Sequence, residues 1–202
     1  LMSIKAVFLG GPGVGKSSII KYYSEGHADS FHRPTISAGF VQKDCEYEGK
    51  KFEFGIWDTA GAEQFRSIAP IYFRNANLAF IVSDASDPSA DDDAKFWAEE
   101  VISKADEDVK LIFVMNKIDL VTDTKSVESR AHILAEQYGD HYSLTSALNG
   151  TGINELFVFS FGIISNLINK LESEEESDNN TNTKVKLDDQ SQQQKEKKKS
   201  CC

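Results

Sequence analysis

The chain has 202 residues, enough for one domain with length to spare. It is 40% hydrophobic and 10% aromatic, which supports a real core and excludes disorder throughout. Lys plus Arg number 22 against 32 for Asp plus Glu, a net charge of -10 that suits neither DNA nor RNA as a partner, so no nucleic acid is expected.

The first apolar run, Ile4–Leu9, is short and nearly continuous, the mark of a strand buried on both faces of a parallel sheet. It runs straight into glycines, so nothing there resembles a signal peptide, and Leu1 before Met2 carries no argument. The loop Gly10-Gly11-Pro12-Gly13-Val14-Gly15-Lys16-Ser17 matches G-x-x-x-x-G-K-[ST] and opens a helix expected over Lys16–Ser24. Glycines let the backbone curl until successive N–H groups and the helix N-terminus face phosphate oxygens. Gly13, Val14, Gly15, Lys16, Ser17 and Ser18 are therefore the candidate phosphate cradle. Lys16 places a charge between the β- and γ-phosphates, and the Ser17 hydroxyl suits Mg2+. Pro12 only trims the flexibility of the loop. A chance match in a chain of this length arises about 1% of the time, so phosphate binding is expected.

A strand around Phe40–Glu46 and a second over Lys51–Trp57 flank Tyr47-Glu48-Gly49-Lys50, which reads as a hairpin turn. The second strand alternates, with Phe52, Phe54 and Ile56 on one face, and reads as more exposed than the first run. Asp58-Thr59-Ala60-Gly61 follows it. An Asp at the end of a strand is a metal or water ligand, or a cap for the next turn. Beside a phosphate loop, Asp58 reads as the second magnesium-side group, with the Gly61 N–H free to meet a γ-phosphate.

A helix over Phe65–Arg74, a buried strand Leu78–Val82, a helix Pro88–Ser103 and a buried strand Leu111–Met115 come next. The strand ends in Asn116-Lys117-Ile118-Asp119. A short carboxylate accepts two hydrogen bonds from the guanine N1–H and 2-amino group, a pattern adenine does not offer, and a site built for those donors rejects the wrong base. The plainer reading is a polar loop in which Asp119 is a cap. A helix Val127–Tyr138, a weak strand Tyr142–Leu144, the loop Thr145-Ser146-Ala147-Leu148 and a helix Ile153–Leu171 complete the order.

Strand and helix in this rhythm predict a three-layer α/β sandwich around a mostly parallel six-stranded sheet with one antiparallel edge strand. Ligands bind such folds off the carboxyl ends of the strands, where these four loops lie. Leu156–Ile168, the longest apolar stretch, is too short to cross a bilayer. Cys45, Cys201 and Cys202 form neither a disulfide framework nor zinc-type pairs, which suits a reducing compartment. From Glu172 onwards Val185 and Leu187 are the only large aliphatics, so residues 1–171 are read as the domain and 172–202 as a disordered tail.

Taken together, the four loops resemble those of small GTPases of the Ras superfamily, and within it the Rab family, over about residues 4–171. Pro34-Thr35, Trp57-Asp58-Thr59-Ala60-Gly61, Asn116-Lys117-x-Asp119 and Thr145-Ser146-Ala147 stand in family order. Gln64-Phe65-Arg66-Ser67-Ile68-Ala69 and Tyr72-Phe73-Arg74-Asn75-Ala76 are similar to Rab switch signatures, and Ser67–Arg74 looks most like the early-endosomal subgroup. The resemblance implies a P-loop NTPase fold of the small G-protein type, GTP/GDP and Mg2+ as ligands, and GTP hydrolysis.

Residue by residue, it implies that Thr35 ligates Mg2+ and senses the γ-phosphate, and that Asp58 holds Mg2+ through water. Asn116 and Asp119 would read guanine, and Lys117 would brace the base and the phosphate loop. The Ser146–Ala147 backbone, with Leu148 beside it, would meet the guanine oxygen. Catalysis would rest on Lys16, Thr35 and Gly61, and effectors would meet Ile36, Phe40, Trp57, Phe65, Arg66 and Tyr72. Implied partners are effector proteins, an exchange factor, a GTPase-activating protein, Rab escort protein and GDP-dissociation inhibitor. The chain itself would be a monomer on the cytoplasmic face of endomembranes, endosomal by subgroup, with a cytosolic pool.

Three positions depart from the family pattern. Ala62 stands where the family has the glutamine that orients the attacking water, and Gln64 lies two residues away as a possible substitute. Ala28 falls where a phenylalanine packs against guanine, unless His27 or Phe31 takes its place, and Ser37 replaces a glycine. Intrinsic hydrolysis is therefore expected to be slow. The rival reading is a GTP-binding module with negligible hydrolysis, acting as a constitutively active effector scaffold. A P-loop kinase or ATPase is disfavoured by Asn116-Lys117-x-Asp119 and by the want of an acceptor-substrate domain. Lys195-Glu196-Lys197-Lys198-Lys199-Ser200-Cys201-Cys202 resembles a Rab double-geranylgeranylation signal, and two lipids plus a basic cluster attach stably where one is marginal.

Overall fold

The computed structural model describes residues 2–27, 39–59, 69–105, 108–139, 141–170 and 172–173. The opening apolar run forms strand β1 (Met2–Leu9), whose residues Ala6 to Leu9 are fully buried. The same burial holds along β4 (Leu78–Asp84) and β5 (Lys110–Asn116), as expected for strands covered on both faces. With β2 (Gly39–Tyr47), β3 (Lys50–Asp58) and β6 (His141–Leu144) they make a six-stranded sheet in the order β2-β3-β1-β4-β5-β6. Only β2 runs antiparallel to its neighbour; the other pairings are parallel.

Tyr47 pairs with Lys50 across the hairpin, and Glu48 and Gly49 both take positive φ, 50° and 79°. That is the backbone a two-residue turn needs if the strands are to keep their twist. Phe52, Phe54 and Ile56 are fully buried, in agreement with the alternation. The expectation of a more exposed strand needs correction, because β3 lies between β2 and β1 and the open edge belongs to β2. Its polar residues Lys51 and Glu53 face the other way, which is what gave the strand its amphipathic appearance.

The helices fill the two faces. One face carries α3 (Ala90–Lys104) and α4 (Thr124–Tyr138), whose Ala94, Trp97, Val101, Val127 and Leu134 pack with Val7, Ile81 and Phe113. The other carries α1 (Lys16–Glu25) and α5, residues 153–161 of the first unit. There the Phe8 and Phe80 rings stack at 4.5 Å, and Phe157 meets Phe54 edge-on at 6.3 Å and Tyr23 face-on at 3.6 Å. The result is the three-layer sandwich. α1 ends at Gly26, whose N–H returns to Tyr22 O at 2.8 Å. α4 begins earlier than the apolar spacing suggests, because Asp123 accepts from Ser126 N at 3.3 Å and caps a polar first turn. Of the helix expected over Phe65–Arg74, the described part is α2 (Ala69–Phe73).

The chain divides into two compact units, Leu1–Phe161 and Gly162–Cys202. In the second unit residues 162–170 and 172–173 are helical, and the expectation for the tail falls almost wholly outside the described residues. Among the described residues no helix is long and apolar enough to cross a membrane. The five strands that run parallel all end on one side of the sheet, so the loops after Leu9, Asp58, Asp84, Asn116 and Leu144 gather there.

Candidate nucleotide site

Lys16 opens α1 and is only 5% exposed, an unusual place for an ammonium. Its Nζ donates to Gly10 O at 3.0 Å and to Gly11 O at 2.8 Å, so it is drawn back into its own loop. Burial lowers its pKa to about 8, against the pull of the Asp58 and Asp93 carboxylates. A dianionic phosphate in the loop would take the place of the two carbonyls as hydrogen-bond acceptor and add a counter-charge that they cannot supply.

Asp58, the last residue of β3, lies beside the start of α1, and the Ser17 hydroxyl hydrogen-bonds its carboxylate. Burial pushes the Asp58 pKa up, opposed by that hydroxyl and by the Lys16 charge. Its Oδ1 is buried and has no hydrogen-bond partner. An orphaned carboxylate oxygen beside a serine hydroxyl is an all-oxygen donor set that suits a hard cation such as Mg2+, alone or through its water. Next to it the Thr59 hydroxyl ties the end of β3 to Phe8 O at 2.6 Å. Thr35, the other expected Mg2+ ligand, and Gly61, expected at the γ-phosphate, lie outside the described residues, as do Ala28, Ser37, Ala62 and Gln64.

The base side is organised by Asn116, which is 1% exposed. Its Nδ2 donates to Val14 O at 2.9 Å, and its Oδ1 accepts from Thr145 Oγ1 at 3.2 Å and Ala147 N at 3.1 Å. One amide thus joins the phosphate loop, the end of β5 and the loop after β6. The approach demands glycine at position 15: φ is +103°, and a Cβ there would stand 2.2 Å from Asn116 Nδ2. Lys117 takes φ 68°, a left-handed conformation, and starts the 3-10 turn Ile118–Leu120 that presents Asp119. The Ser146 hydroxyl donates to Asp119 Oδ1. Ser146 N–H goes to Thr151 O at 2.9 Å, so this N–H and that of Ala147 are both engaged within the protein. Leu148 is 64% exposed beside them.

Sequence reasoning missed one member. Lys117 Nζ donates to Asp84 Oδ2 at 2.6 Å, and Asp84 Oδ1 also takes Ser86 N at 3.0 Å and Ser86 Oγ at 2.6 Å. Burial alone would raise the Asp84 pKa, but these hydrogen bonds outweigh it and hold the carboxyl below its ordinary value. The available signal was its place, a polar residue at the carboxyl end of an apolar strand.

Away from the pocket, Phe40 lies 4.9 Å from Trp57, and Trp57 lies 5.9 Å from Tyr72, ring centre to ring centre. Lys5 Nζ sits 5.7 Å over the indole. Phe40, Trp57 and Tyr72 are therefore brought together, with Phe40 half exposed, whereas Ile36, Phe65 and Arg66 lie outside the described residues.

The Ras family model matches residues 5–166. Among curated proteins, Rab-21 of Geodia cydonium is 38% identical over 154 residues, covering 76% of this chain and 67% of the relative. Human Rab-22A is 36% identical over 158 residues, covering 78% and 81%. The GTP-binding protein YPT53 of Saccharomyces cerevisiae is 36% identical over 162 residues, covering 77% and 74%.

The chain belongs to the Rab family of Ras-superfamily GTPases.

The relatives agree with the subgroup that the Ser67–Arg74 stretch resembles. As a Rab protein the chain is a small GTPase of vesicle trafficking that takes GTP and GDP. The ends of the parallel strands bring the glycine loop with Lys16, the Asp58 carboxylate and the Asn116–Asp119 loop to one side of its sheet.

Proposed function

We propose that this Rab protein is a slow-hydrolysing GTP/GDP switch on the cytoplasmic face of endosomal membranes, loaded through the pocket built by Lys16, Ser17, Asp58, Asn116 and Asp119. The observation that carries the reading is the buried, unpartnered Asp58 Oδ1 beside the Ser17 hydroxyl and the Lys16 ammonium. It is a cationic and cation-ready corner at the mouth of a phosphate loop, where a triphosphate completes the charge balance.

In the mechanism, Lys16 exchanges its two carbonyl partners for β- and γ-phosphate oxygens, which turns an intramolecular cap into a substrate contact. The backbone N–H groups of residues 13–18 would meet the same oxygens and hold the phosphates in line for attack by water. Ser17 and Asp58 would hold Mg2+, which would supply positive charge to offset that developing on the phosphates. Asp119 accepts from the guanine N1–H and 2-amino group, and Ser146 keeps that carboxylate oriented. Thr35 reports the γ-phosphate to the first switch, and the Phe40, Trp57 and Tyr72 cluster is the surface that effectors read. The usual water-orienting amide is replaced by Ala62, so the step that differs is placement of the nucleophile, while charge neutralisation remains. Ala28 in place of an aromatic weakens retention, since such a contact is worth about 0.5–1.5 kcal/mol beyond area burial.

Single-turnover GTP hydrolysis tests this, with the unchanged chain beside Ala62→Gln. One added hydrogen bond to the attacking water, about 1.4 kcal/mol, should raise the rate on the order of tenfold with little change in GTP affinity. An unchanged rate would show that another group, Gln64 first, already places the water, and the slow-switch reading would fall. Hydrolysis that is undetectable before substitution and restored by it favours the scaffold reading, in which the chain stays GTP-bound.

A further inference from the structure

Arg130 lies on α4, and its guanidinium makes four hydrogen bonds to the start of α3 and the turn after β4. Nε and Nη2 form a fork on Asp91 Oδ2 and Oδ1, both at 2.7 Å. Nη1 donates to Ala85 O at 3.0 Å and Nη2 to Asp87 O at 3.2 Å. Both charged side chains are more than four-fifths buried, at 19% and 17% exposure. A clamp between α3 and α4 would need only the bond to Asp91. Half of this guanidinium's hydrogen bonds go instead to the turn that follows β4.

The far side of that turn is the base loop. Ala85 accepts from Arg130 through its carbonyl and donates through its N–H to Asn116 O at 2.7 Å. Asp84, one residue earlier, holds Lys117 Nζ at 2.6 Å. Lys117 must keep a left-handed backbone to launch the turn bearing Asp119, a conformation that persists only where its surroundings fix it. A single residue, Ala85, therefore links Arg130 to the backbone of Asn116, and a single carboxylate, that of Asp84, links the same turn to Lys117. A lysine at position 130 has no planar fork with which to grip a carboxylate and two carbonyls at once.

We propose that Arg130 is a positioning residue for base recognition. By fixing residues 84–87 it holds the Asn116 backbone and the Lys117 ammonium where Asp119 meets the guanine edge. The inference rests on the guanine-binding reading above and adds the device that keeps that site in register.

The test compares GDP with inosine diphosphate, which lacks the 2-amino group that Asp119 accepts from. Release rates of both are measured from the full chain, Arg130→Met and Arg130→Lys, each with Mg2+. In the unchanged chain inosine diphosphate should leave about tenfold faster than GDP. In Arg130→Met GDP release should speed up about tenfold and inosine diphosphate release much less, so that the ratio falls towards one; Arg130→Lys should lie between. Equal acceleration of both nucleotides, with the ratio kept, would mean that Arg130 is only a helix clamp and would overturn the proposal. If Arg130→Met fails to fold, Arg130→Lys decides on the same ratio. No discrimination in the unchanged chain would overturn the guanine reading itself, and this inference with it.

Discussion

Removing the Asn116 side chain is the sharpest test of how the pocket is held together. Asn116→Ala deletes three hydrogen bonds at 2.9, 3.2 and 3.1 Å and leaves Val14 O, the Thr145 hydroxyl and the Ala147 N–H without that partner in a buried place. At about 1 kcal/mol net per bond, with a further charge for stranded polar groups, the expected loss is about 3–5 kcal/mol. For a domain of this size each kcal/mol moves Tm by about 2–4 °C, so the midpoint should fall by about 6–20 °C. Thermal unfolding without nucleotide, and again with GDP and Mg2+, is the assay, because bound ligand adds a term that depends on each protein's Kd and only the nucleotide-free difference reports the hydrogen bonds alone. Asn116→Asp gives an internal check. It keeps an acceptor for Thr145 and Ala147 but sets a carboxylate oxygen against the Val14 carbonyl, so it should also be destabilising. A fall of less than about 2 °C in Asn116→Ala would refute the view that one amide locks three loops.

Two further outcomes follow from the sequence motifs. Asp119→Asn should turn preference from guanine towards xanthine nucleotides, because an amide complements the xanthine 2-oxo group; competition of GTP against XTP measures it, and a retained GTP preference would remove Asp119 from the base site. Cys201 and Cys202 should carry the chain into the detergent phase after expression in lipid-competent cells, since one end is basic and the whole is acidic. Equal aqueous partitioning of the chain and its Cys201→Ser/Cys202→Ser variant would end the anchor proposal.

The sheet was legible in the sequence because its strands are of the kind that periodicity reports best. Near-continuous apolar runs at Ile4–Leu9, Leu78–Val82 and Leu111–Met115 mark strands buried on both faces, and a polar or glycine-rich loop follows each. The phosphate loop and Asp58 were legible for a different reason. Their chemistry needs particular side chains at fixed spacings along one stretch of chain, so the pattern survives without a fold around it.

What the sequence could not yield are relations between stretches that touch only after folding. Nothing local says that Gly15 is a glycine because Asn116 Nδ2 would lie 2.2 Å from its Cβ, or that Lys117 answers to Asp84 across 33 positions. The exposure of β3 was misjudged likewise, because a strand's neighbours are set by sheet order and its own alternation reports only two faces. Arg130 is the extreme case: by composition it is one more charge on a helix, and only the packing of α4 against α3 turns it towards Asp91 and the turn after β4. Spacing along the chain marked which groups of this Rab protein are proposed to meet a nucleotide. Tertiary structure decided which of them hold the others still, because a buried hydrogen bond has a partner only where the fold delivers one.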